Sequence, residues 1–329
     1  MAALKSCTIL LLYETKGHMK PKIIFMGTPE FAVPSLEILA KNNYPIIGVV
    51  TQPDRPKGRG RKYVASPVKT TAEKYNLPVI QPERVRNEEF LNIFRKLSPD
   101  MVVLVAFGQI LPGEIIESPK VGCINVHPSL LPKYRGAAPI NWALIRGEEI
   151  TGITTILMDE GVDSGDILLQ EETTIEPDET FDKLHDRLST MGSGLLLKTV
   201  EGITEGTITK TPQDSTLATY APLLKKEDGN INWQAGIKDI LNLIRGLYPS
   251  PCAYTFIRGK KLKIFVAAGE ESHVQGATGR IVGETEKGLQ ITAKDGYIYL
   301  KELQLESKRR MSVNDFLRGH KISSDDILG

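Results

Sequence analysis

The sequence is poor in cysteine, in charge of one sign and in long apolar runs. Its 329 residues include three cysteines, Cys7, Cys123 and Cys252, which lie far apart and show no metal-ligand spacing. An odd cysteine count without a secretory signal predicts unpaired thiols in a reducing cytoplasm. No apolar run approaches the roughly 20 residues of a membrane helix. Because the formal net charge is only +1, any nucleic-acid partner has to be met by a local basic patch.

Residues 1–18 differ from the rest of the chain. The apolar run Ser6–Tyr13 is too short for a signal peptide, and no small-residue cleavage site follows it. Gly17-His18-Met19 resembles a cloning-site scar, with Met19 as the natural start. We predict that this leader is an artefact of cloning or of start-site choice. The alternative is a genuine extension that adds a short edge strand.

Residues 19–206 have the pattern of a doubly wound α/β domain with a mostly parallel sheet. The apolar run Lys22–Met26 ends at a turn where Thr28 is predicted to cap a helix that starts at Pro29. Ile46–Thr51 then completes a βαβ unit. The dinucleotide fingerprint G-x-G-x-x-G is absent from the first turn, which disfavours a nicotinamide cofactor.

Hydrophobic periodicity predicts further helices and strands of the same α/β pattern as far as residue 206, and a different pattern after it. Further helices are predicted at Pro67–Tyr75, Glu89–Leu97, Ala137–Arg146 and Phe181–Val200, and further strands at Val79–Gln81, Met101–Phe107, Gly122–Val126 and Ile153–Met158. Residues 207–226 lack periodicity and are predicted to be an interdomain linker. Residues 227–329 hold a helix and several short strands separated by glycine turns, which predicts a small β-barrel domain.

Two polar side chains interrupt the apolar strand Gly122–Val126 and the loop after it. Asn125 and His127 are two residues apart, so on an extended backbone they point to the same side. An amide N–H donor beside a group that exchanges a proton near pH 7 suits acyl transfer. The pair alone is a weak signal. A carboxylate placed to orient the histidine would strengthen it.

The segment Asp159–Leu168 is rich in aspartate and glycine. Two glycines and three aspartates within eight residues, Asp163 among them, are typical of a tight polar turn. A plain turn, or a calcium loop without the twelve-residue EF-hand spacing, are the alternatives. His185, on the predicted helix Phe181–Val200, is interpreted as a surface or interface side chain.

A basic loop follows the second strand. Asp54–Lys62 carries five positive residues against one negative, with proline and glycines that are expected to prevent regular structure; the positive residues are Arg55, Lys57, Arg59, Arg61 and Lys62. Flexible arginine- and glycine-rich segments suit phosphate backbones. The alternative is a solvated surface loop.

Taken together, these motifs resemble the 10-formyltetrahydrofolate-dependent formyltransferases. The resemblance rests on Asn125-x-His127-Pro128-Ser129-Leu130-Leu131-Pro132, on Asp163 within D-x-G-x-D-x-G-D, and on the segments Phe25–Phe31, Thr51–Pro56 and Arg135–Ile140. It runs from about Lys20 to the C-terminus and is strongest for the members that act on initiator tRNA. Asn232 departs from the aspartate that is more usual before Trp233, a position away from the chemistry.

The resemblance implies transfer of the formyl group of 10-formyltetrahydrofolate, a co-substrate, to the amino group of methionine carried by initiator tRNA. Asn125 and His127 would stabilise the formyl oxygen, and Asp163 would orient the imidazole or hold a water that carries the proton. No metal is implied. Ser129, Leu130, Leu131 and Pro132 would flank the pteridine. The basic loop would enter the acceptor stem, with Arg59 near the transferred amino acid, and an OB-like C-terminal barrel would contact the inside of the tRNA.

Three other functions stay open at this point. A formyltransferase acting on a small amine, such as glycinamide ribonucleotide or an amino sugar nucleotide, would not need the basic loop or the second domain. A hydrolase that releases formate would use the same three residues. An RNA-binding protein with a decayed active site is disfavoured because Asn125, His127 and Asp163 are all present. The expected state is a cytoplasmic monomer.

Overall fold

The computed structural model describes residues 20–57, 62–274, 276–323 and 326–329. Within them the chain forms two compact units. The first takes the chain as far as Val126 and adds Thr155–Glu160 and Ser193–Thr211; the second consists of His127–Thr154, Gly161–Gly192 and Pro212–Gly329. This division differs from the domain boundaries predicted at 19–206, 207–226 and 227–329, which stay a prediction.

The N-terminal part of the chain alternates strands and helices as predicted. Its elements are β1 (Ile23–Gly27), α1 (Val33–Lys41), β2 (Ile46–Val50), β3 (Arg55–Lys57), β4 (Lys62–Val64), α2 (Pro67–Lys74), β5 (Val79–Ile80), α3 (Glu88–Leu97), β6 (Met101–Val105), α4 (Gly113–Glu117), β7 (Gly122–His127), α5 (Pro139–Ile145), β8 (Ile150–Leu157), β9 (Asp166–Thr174) and α6 (Phe181–Glu205). The helix α2 begins where predicted, because Ser66 accepts a hydrogen bond from the Lys69 N–H and Pro67 occupies the first turn.

Seven of these strands form one sheet in the order β5-β2-β1-β6-β7-β8-β9. The pairs β1–β2, β1–β6, β2–β5 and β6–β7 are parallel. Later strands add on both sides of β1, so the topological switch lies beside it, as in a doubly wound fold. Ile23, Ile24, Phe25 and Met26 are fully buried, which is expected of a parallel strand covered on both faces. The predicted fold class is confirmed.

The C-terminal part of the chain forms a second, antiparallel sheet. Its elements are α7 (Ile237–Gly246), β10 (Ala253–Ile257), β11 (Lys260–Glu271), β12 (Ile281–Thr285), β13 (Gly288–Ala293), β14 (Gly296–Leu305), β15 (Met311–Ser312) and α8 (Val313–Gly319). The strand order is β10-β11-β14-β13-β12, with β15 paired to β14. The predicted strand Thr278–Val282 lies three residues too early, because Gly279 adopts a positive φ of 77° and ends the preceding turn.

Two further local predictions were wrong, and one strand was missed. Thr28 caps no helix, because its hydroxyl instead donates to the Phe107 carbonyl (3.2 Å), and the chain after it forms a 3-10 turn at Glu30–Ala32 without a side-chain cap. Proline and glycine do not abolish structure in the basic loop, because its two flanks pair as β3 and β4. The strand β9 was missed because its second half is polar, with exposed residues at Gln170, Glu172 and Thr174 that alternate with half-buried ones.

The thiols of Cys123 and Cys252 are free and buried. Burial raises the pKa of the Cys123 thiol well above its usual range and that of Cys252 to about 11, which disfavours the reactive thiolate form near neutral pH. Cys7 and the leader lie outside the described residues. Of the helices in the described ranges, none combines the length and the apolar character that crossing a bilayer requires.

Candidate active site

The strand β7 carries the first two predicted site residues. Asn125 is 7% exposed and is the register partner of Leu104 on β6, while His127, two residues further on, is 4% exposed and ends the strand. Both residues belong to the strand β7, and residues two apart on an extended backbone are expected to project from the same side.

His127 has its two ring nitrogens in different surroundings. Nε2 lies 3.0 Å from the Tyr134 carbonyl oxygen, which can only accept a hydrogen bond, so Nε2 carries a proton and donates. Nδ1 faces Asp163, with 3.6 Å between Nδ1 and Oδ2. Because Nε2 is committed to the carbonyl, Nδ1 is the ring nitrogen that can take up and release a proton. The structure therefore brings together the histidine and the carboxylate that the sequence pattern joined.

The Asp163 carboxylate is held from a second direction. The Gly136 N–H donates to Asp163 Oδ2 (2.9 Å), the same oxygen that faces the imidazole. Asp163 itself has a φ of 51° and Gly136 a φ of 121°. A Cβ on Gly136 would lie 2.7 Å from the Ala221 carbonyl oxygen, so glycine is required there. Non-glycine residues in left-handed conformations cost free energy and persist only where surrounding contacts enforce them.

The segment Ser129–Pro132 is fixed by hydrogen bonds inside the protein. Thr154 Oγ1 donates to the Ser129 carbonyl (2.7 Å) and accepts from the Leu131 N–H (3.1 Å), and Gln170 Nε2 donates to the Leu131 carbonyl (2.8 Å). Ser129 and Leu131 are buried, at 1% and 3% exposed, whereas Leu130 and Pro132 are half-buried. The Leu131–Pro132 peptide bond is cis. A ligand against this segment would meet Leu130 and Pro132.

The flanks of the predicted basic loop form a two-stranded hairpin, in which Arg55 pairs with Val64 and Lys57 with Lys62. Arg55 Nη2 lies 3.0 Å from Glu83 Oε2, and both side chains are mostly exposed. Arg59 and Arg61 lie outside the described residues, as do the side chains of Lys57 and Lys62.

The base of the hairpin is anchored by Asp54. Its carboxylate accepts from Lys69 Nζ (2.7 Å) and from Gln81 Nε2 (2.8 Å), and these two bonds lower the pKa of Asp54. The negative charge of the loop is thus neutralised locally. Tyr63, on β4, is 75% exposed. Tyr63 was not predicted as a binding residue, because no local pattern in the sequence marks an exposed tyrosine.

Two family models match the chain. The formyl transferase model matches residues 20–200, and the formyl transferase C-terminal domain model matches residues 223–321. The chain belongs to the formyl transferase family. The first model alone covers the parallel sheet and the residues Asn125, His127 and Asp163, so the family assignment rests on the part of the chain that carries the candidate site.

Curated relatives match the chain almost from end to end. A methionyl-tRNA formyltransferase of Syntrophus aciditrophicus is 57% identical over 94% of this chain and 99% of its own length. A methionyl-tRNA formyltransferase of Geotalea uraniireducens is 49% identical, with coverages of 94% and 98%.

Solved structures share the fold at lower identity. The N-formyltransferase of Helicobacter canadensis, in complex with folinic acid and dTDP-3-aminofucose, is 21% identical with a TM-score of 0.62 and covers 88% of this chain and 99% of its own. HypX of Aquifex aeolicus, in complex with tetrahydrofolic acid, is 17% identical with a TM-score of 0.60, over 91% of this chain and 47% of that protein.

Beyond the residues that the family resemblance implied, the structure adds Tyr134. Its carbonyl accepts from His127, and its buried hydroxyl donates to Glu148 Oε1 (2.5 Å). Burial, and next the hydrogen bond to Glu148, raise the pKa of Tyr134 to about 12. The guanidinium of Arg146 lies 5.1 Å from the centre of the Tyr134 ring. These contacts fix the main chain at Tyr134, whose carbonyl accepts the hydrogen bond from His127. No sequence pattern links position 134 to position 127, so this contact could not be predicted.

In the described part of the chain, no group of three or more histidine, cysteine, aspartate or glutamate side chains is arranged to hold a metal ion. His185 lies on α6, with Nδ1 2.9 Å from Asp186 Oδ1 and its ring centre 5.5 Å from that of Phe181.

Proposed function

We propose that this protein transfers the formyl group of 10-formyltetrahydrofolate to the amino group of methionine on initiator methionyl-tRNA. The observation that carries the proposal is the buried His127, with one ring nitrogen held by a carbonyl and the other facing Asp163 at 3.6 Å. Relatives named methionyl-tRNA formyltransferase, at up to 57% identity over 94% of the chain, supply the substrate class.

The reaction forms one bond and breaks another. The methionyl amino nitrogen attacks the formyl carbon, which gives a tetrahedral intermediate with negative charge on the formyl oxygen. The bond from carbon to N10 of the folate then breaks, and the proton lost by the amine ends on N10. The products are N-formylmethionyl-tRNA and tetrahydrofolate, and no oxidant or further reactant is needed.

Asn125 and His127 are proposed to act on that oxygen and that proton. The Asn125 amide is a preorganised N–H donor on a rigid strand, suited to a developing oxyanion. His127 Nδ1 is the ring nitrogen able to exchange a proton, and Asp163 fixes the orientation of the ring and offers an oxygen to a bridging water. A separation of 3.6 Å is too long for a direct hydrogen bond, and such contacts tighten in substrate complexes.

Ser129–Pro132 is proposed to form the wall against the pteridine. Since Ser129 and Leu131 are buried and their main-chain groups are satisfied by Thr154 and Gln170, the two play a supporting role. The apolar contact then comes from the half-buried Leu130 and Pro132. Apolar walls with a few polar groups are what bind a flat heterocycle well.

The hairpin β3–β4 and its basic turn are proposed to bind tRNA. Arg55 pairs with Glu83 at an exposed site, where ion pairs contribute little, so its guanidinium can turn to a phosphate. Lys57, Arg59, Arg61 and Lys62 add positive charge. Exposed Tyr63 offers a face on which a base can stack.

A formyl transfer to a small amine is the second candidate, since the N-formyltransferase of Helicobacter canadensis shares the fold. The hairpin and the match to the C-terminal domain model favour the larger substrate. We also propose that the protein is a monomer and that it works in the cytoplasm, where its substrate is made. Sedimentation of the purified protein tests the monomeric state.

A direct assay separates these candidates. Purified protein is supplied with 10-formyltetrahydrofolate and, in parallel reactions, with methionyl-tRNA, glycinamide ribonucleotide, an amino sugar nucleotide or free methionine. We expect formylation of methionyl-tRNA alone. Equal or faster formylation of a small amine would overturn the proposal, as would release of formate without any acceptor.

A further inference from the structure

We infer that Gln213, in the predicted linker, is a positioning residue that sets the Asp163 carboxylate for formyl transfer. This inference rests on the proposed function. The segment 207–226 was predicted only to connect two domains, and no local pattern distinguishes Gln213 within it. In the structure its side chain joins the two loops on which the carboxylate depends.

The amide of Gln213 donates to both sides of the Asp163 turn. Nε2 lies 2.8 Å from the Asp163 carbonyl oxygen and 2.7 Å from the Gly165 carbonyl oxygen. Both hydrogens of the amide are therefore used on the backbone of the turn that presents Asp163. Because Asp163 has a φ of 51°, its conformation needs support of this kind.

The oxygen of the same amide is held by Arg135. Arg135 Nε and Nη2 lie 3.1 and 2.7 Å from Gln213 Oε1, and Arg135 is only 5% exposed. Two guanidinium donors on Oε1 and two carbonyls on Nε2 leave one orientation for the amide. The Gln213 amide thus links Arg135 to the Asp163 turn in one fixed orientation.

Arg135 closes the connection to the carboxylate itself. Its neighbour Gly136 donates to Asp163 Oδ2. The main chain of Arg135 is held in turn by the linker, because its N–H donates to the Thr219 carbonyl (2.9 Å) and its carbonyl accepts from the Ala221 N–H (2.8 Å). Gln213 therefore sets both ends of the hydrogen bond between Gly136 and Asp163, and through Asp163 the partner of His127.

Gln213→Glu is the informative variant. It has the same shape and keeps an oxygen for Arg135, so the contact with the buried guanidinium is retained. It also turns the two N–H donors into an oxygen that faces two carbonyls, so the Asp163 turn loses its support. We expect kcat with methionyl-tRNA to fall about tenfold to a hundredfold, the range for a misplacement of about 1 Å. The KM values for tRNA and folate should change less than about twofold, because the Gln213 amide is fully engaged by Arg135 and by the Asp163 turn.

The controls separate positioning from folding. Gln234→Ala, at an exposed glutamine, should leave kcat and the thermal midpoint unchanged. Gln213→Ala should lower both kcat and the midpoint, whereas Gln213→Glu should lower kcat at a midpoint close to wild type. A wild-type kcat in Gln213→Glu overturns the inference. The inference is also overturned if, across the Gln213 variants, kcat falls only in proportion to the fall in the thermal midpoint.

A second measurement does not depend on activity. Hydrogen exchange of the Gly136 amide reports its bond to Asp163, and we expect exchange to speed up at least tenfold in Gln213→Glu but not in Gln234→Ala. If the wild-type protein fails to formylate methionyl-tRNA, the proposed function fails, and the Gly136 exchange alone decides the positioning role. Unchanged exchange in Gln213→Glu overturns that role.

Discussion

The loops around His127 and the hairpin β3–β4 are built in opposite ways. The imidazole, the Asp163 carboxylate and the Arg135 guanidinium are largely removed from water. The first two contact main-chain groups of neighbouring loops, and the guanidinium donates to the Gln213 side-chain oxygen. The hairpin has three residues in each strand, an exposed ion pair at Arg55 and an exposed Tyr63. One region has its conformation fixed before substrate arrives, and the other offers groups that are still available to bind.

This difference indicates a division of labour. Preorganised donors are effective in chemistry because they do not need to reorganise during the reaction. Exposed cations and aromatic rings are effective on nucleic acids because the partner brings its own charge and stacking surface. Changes in the first region should therefore lower kcat at constant tRNA affinity, and changes in the second should weaken tRNA binding at constant chemistry.

The largest effect is expected from His127→Ala. Loss of the proton-exchanging group should lower kcat by about 10²- to 10⁴-fold, the usual contribution of general acid–base catalysis, while the Kd for methionyl-tRNA stays within about twofold. Single-turnover formylation and filter binding measure the two quantities. His185→Ala is the matched control, since His185 lies on α6 beside Asp186 and should be dispensable.

The pairing of His127 with Asp163 can be tested in the same assay. Asp163→Asn keeps the shape of the side chain but removes its charge. We expect the kcat of the double variant His127→Ala/Asp163→Asn to lie within about threefold of that of His127→Ala, because the effects of groups that act as a unit are non-additive. Fully multiplicative losses would mean that the two residues act separately.

A smaller effect is expected from Tyr63→Ala. Loss of one stacked base costs about 1–3 kcal/mol, so the KM for methionyl-tRNA should rise roughly 5-fold to 150-fold with kcat unchanged. Tyr63→Phe keeps the ring and should behave like wild type. If Tyr63→Ala has the wild-type KM, Tyr63 is an ordinary exposed side chain.

Arg59→Ala should weaken tRNA binding only several-fold at low salt. Removal of one phosphate contact reduces the slope of log Kd against log salt concentration by roughly 1. Binding titrations between 50 and 200 mM salt measure that slope. Arg86→Ala, at an exposed arginine outside the loop, controls for the loss of net charge. An unaltered slope in Arg59→Ala would favour the solvated-loop alternative.

The sequence predicted the parts of the molecule in which local pattern and final structure agree. The buried strands β1, β6 and β7 were recognisable because apolar runs of that length fit a parallel sheet, and His127 and Asp163 were joined by a family motif. The strand β9 and the hairpin were missed, since edge pairing of polar or proline-containing segments depends on the partner strand. Gln213 contacts the Asp163 turn from 50 residues away, and Tyr134 contacts His127 through its main-chain carbonyl, which any residue could supply. No local pattern in the sequence therefore marks either residue.

The smallest expected effect concerns the support of His127 by Tyr134. Tyr134→Phe leaves the carbonyl that accepts from Nε2 in place, so kcat should change less than about twofold. It removes the hydrogen bond to Glu148, which should lower the free energy of unfolding at pH 8 by about 1 kcal/mol. Tyr220→Phe, at a tyrosine that is 62% exposed, is the matched control and should change neither quantity.

The difference in unfolding free energy between wild type and Tyr134→Phe should depend on pH, because the pKa of Tyr134 differs between the folded and unfolded protein. The folded protein raises it from 10.0 to about 12, so the protonated hydroxyl is favoured by folding. The stabilisation is fully present below about pH 10 and is lost as the pH rises through about 12. Since the phenylalanine variant has no such proton, the stability difference between wild type and Tyr134→Phe should narrow across that window. Denaturant unfolding at a series of pH values measures it. If the difference in unfolding free energy between wild type and Tyr134→Phe stays constant up to pH 12, the Tyr134 hydroxyl does not make the hydrogen bond seen in the structure. The Tyr134 carbonyl, which accepts from His127, would then be positioned by the backbone alone.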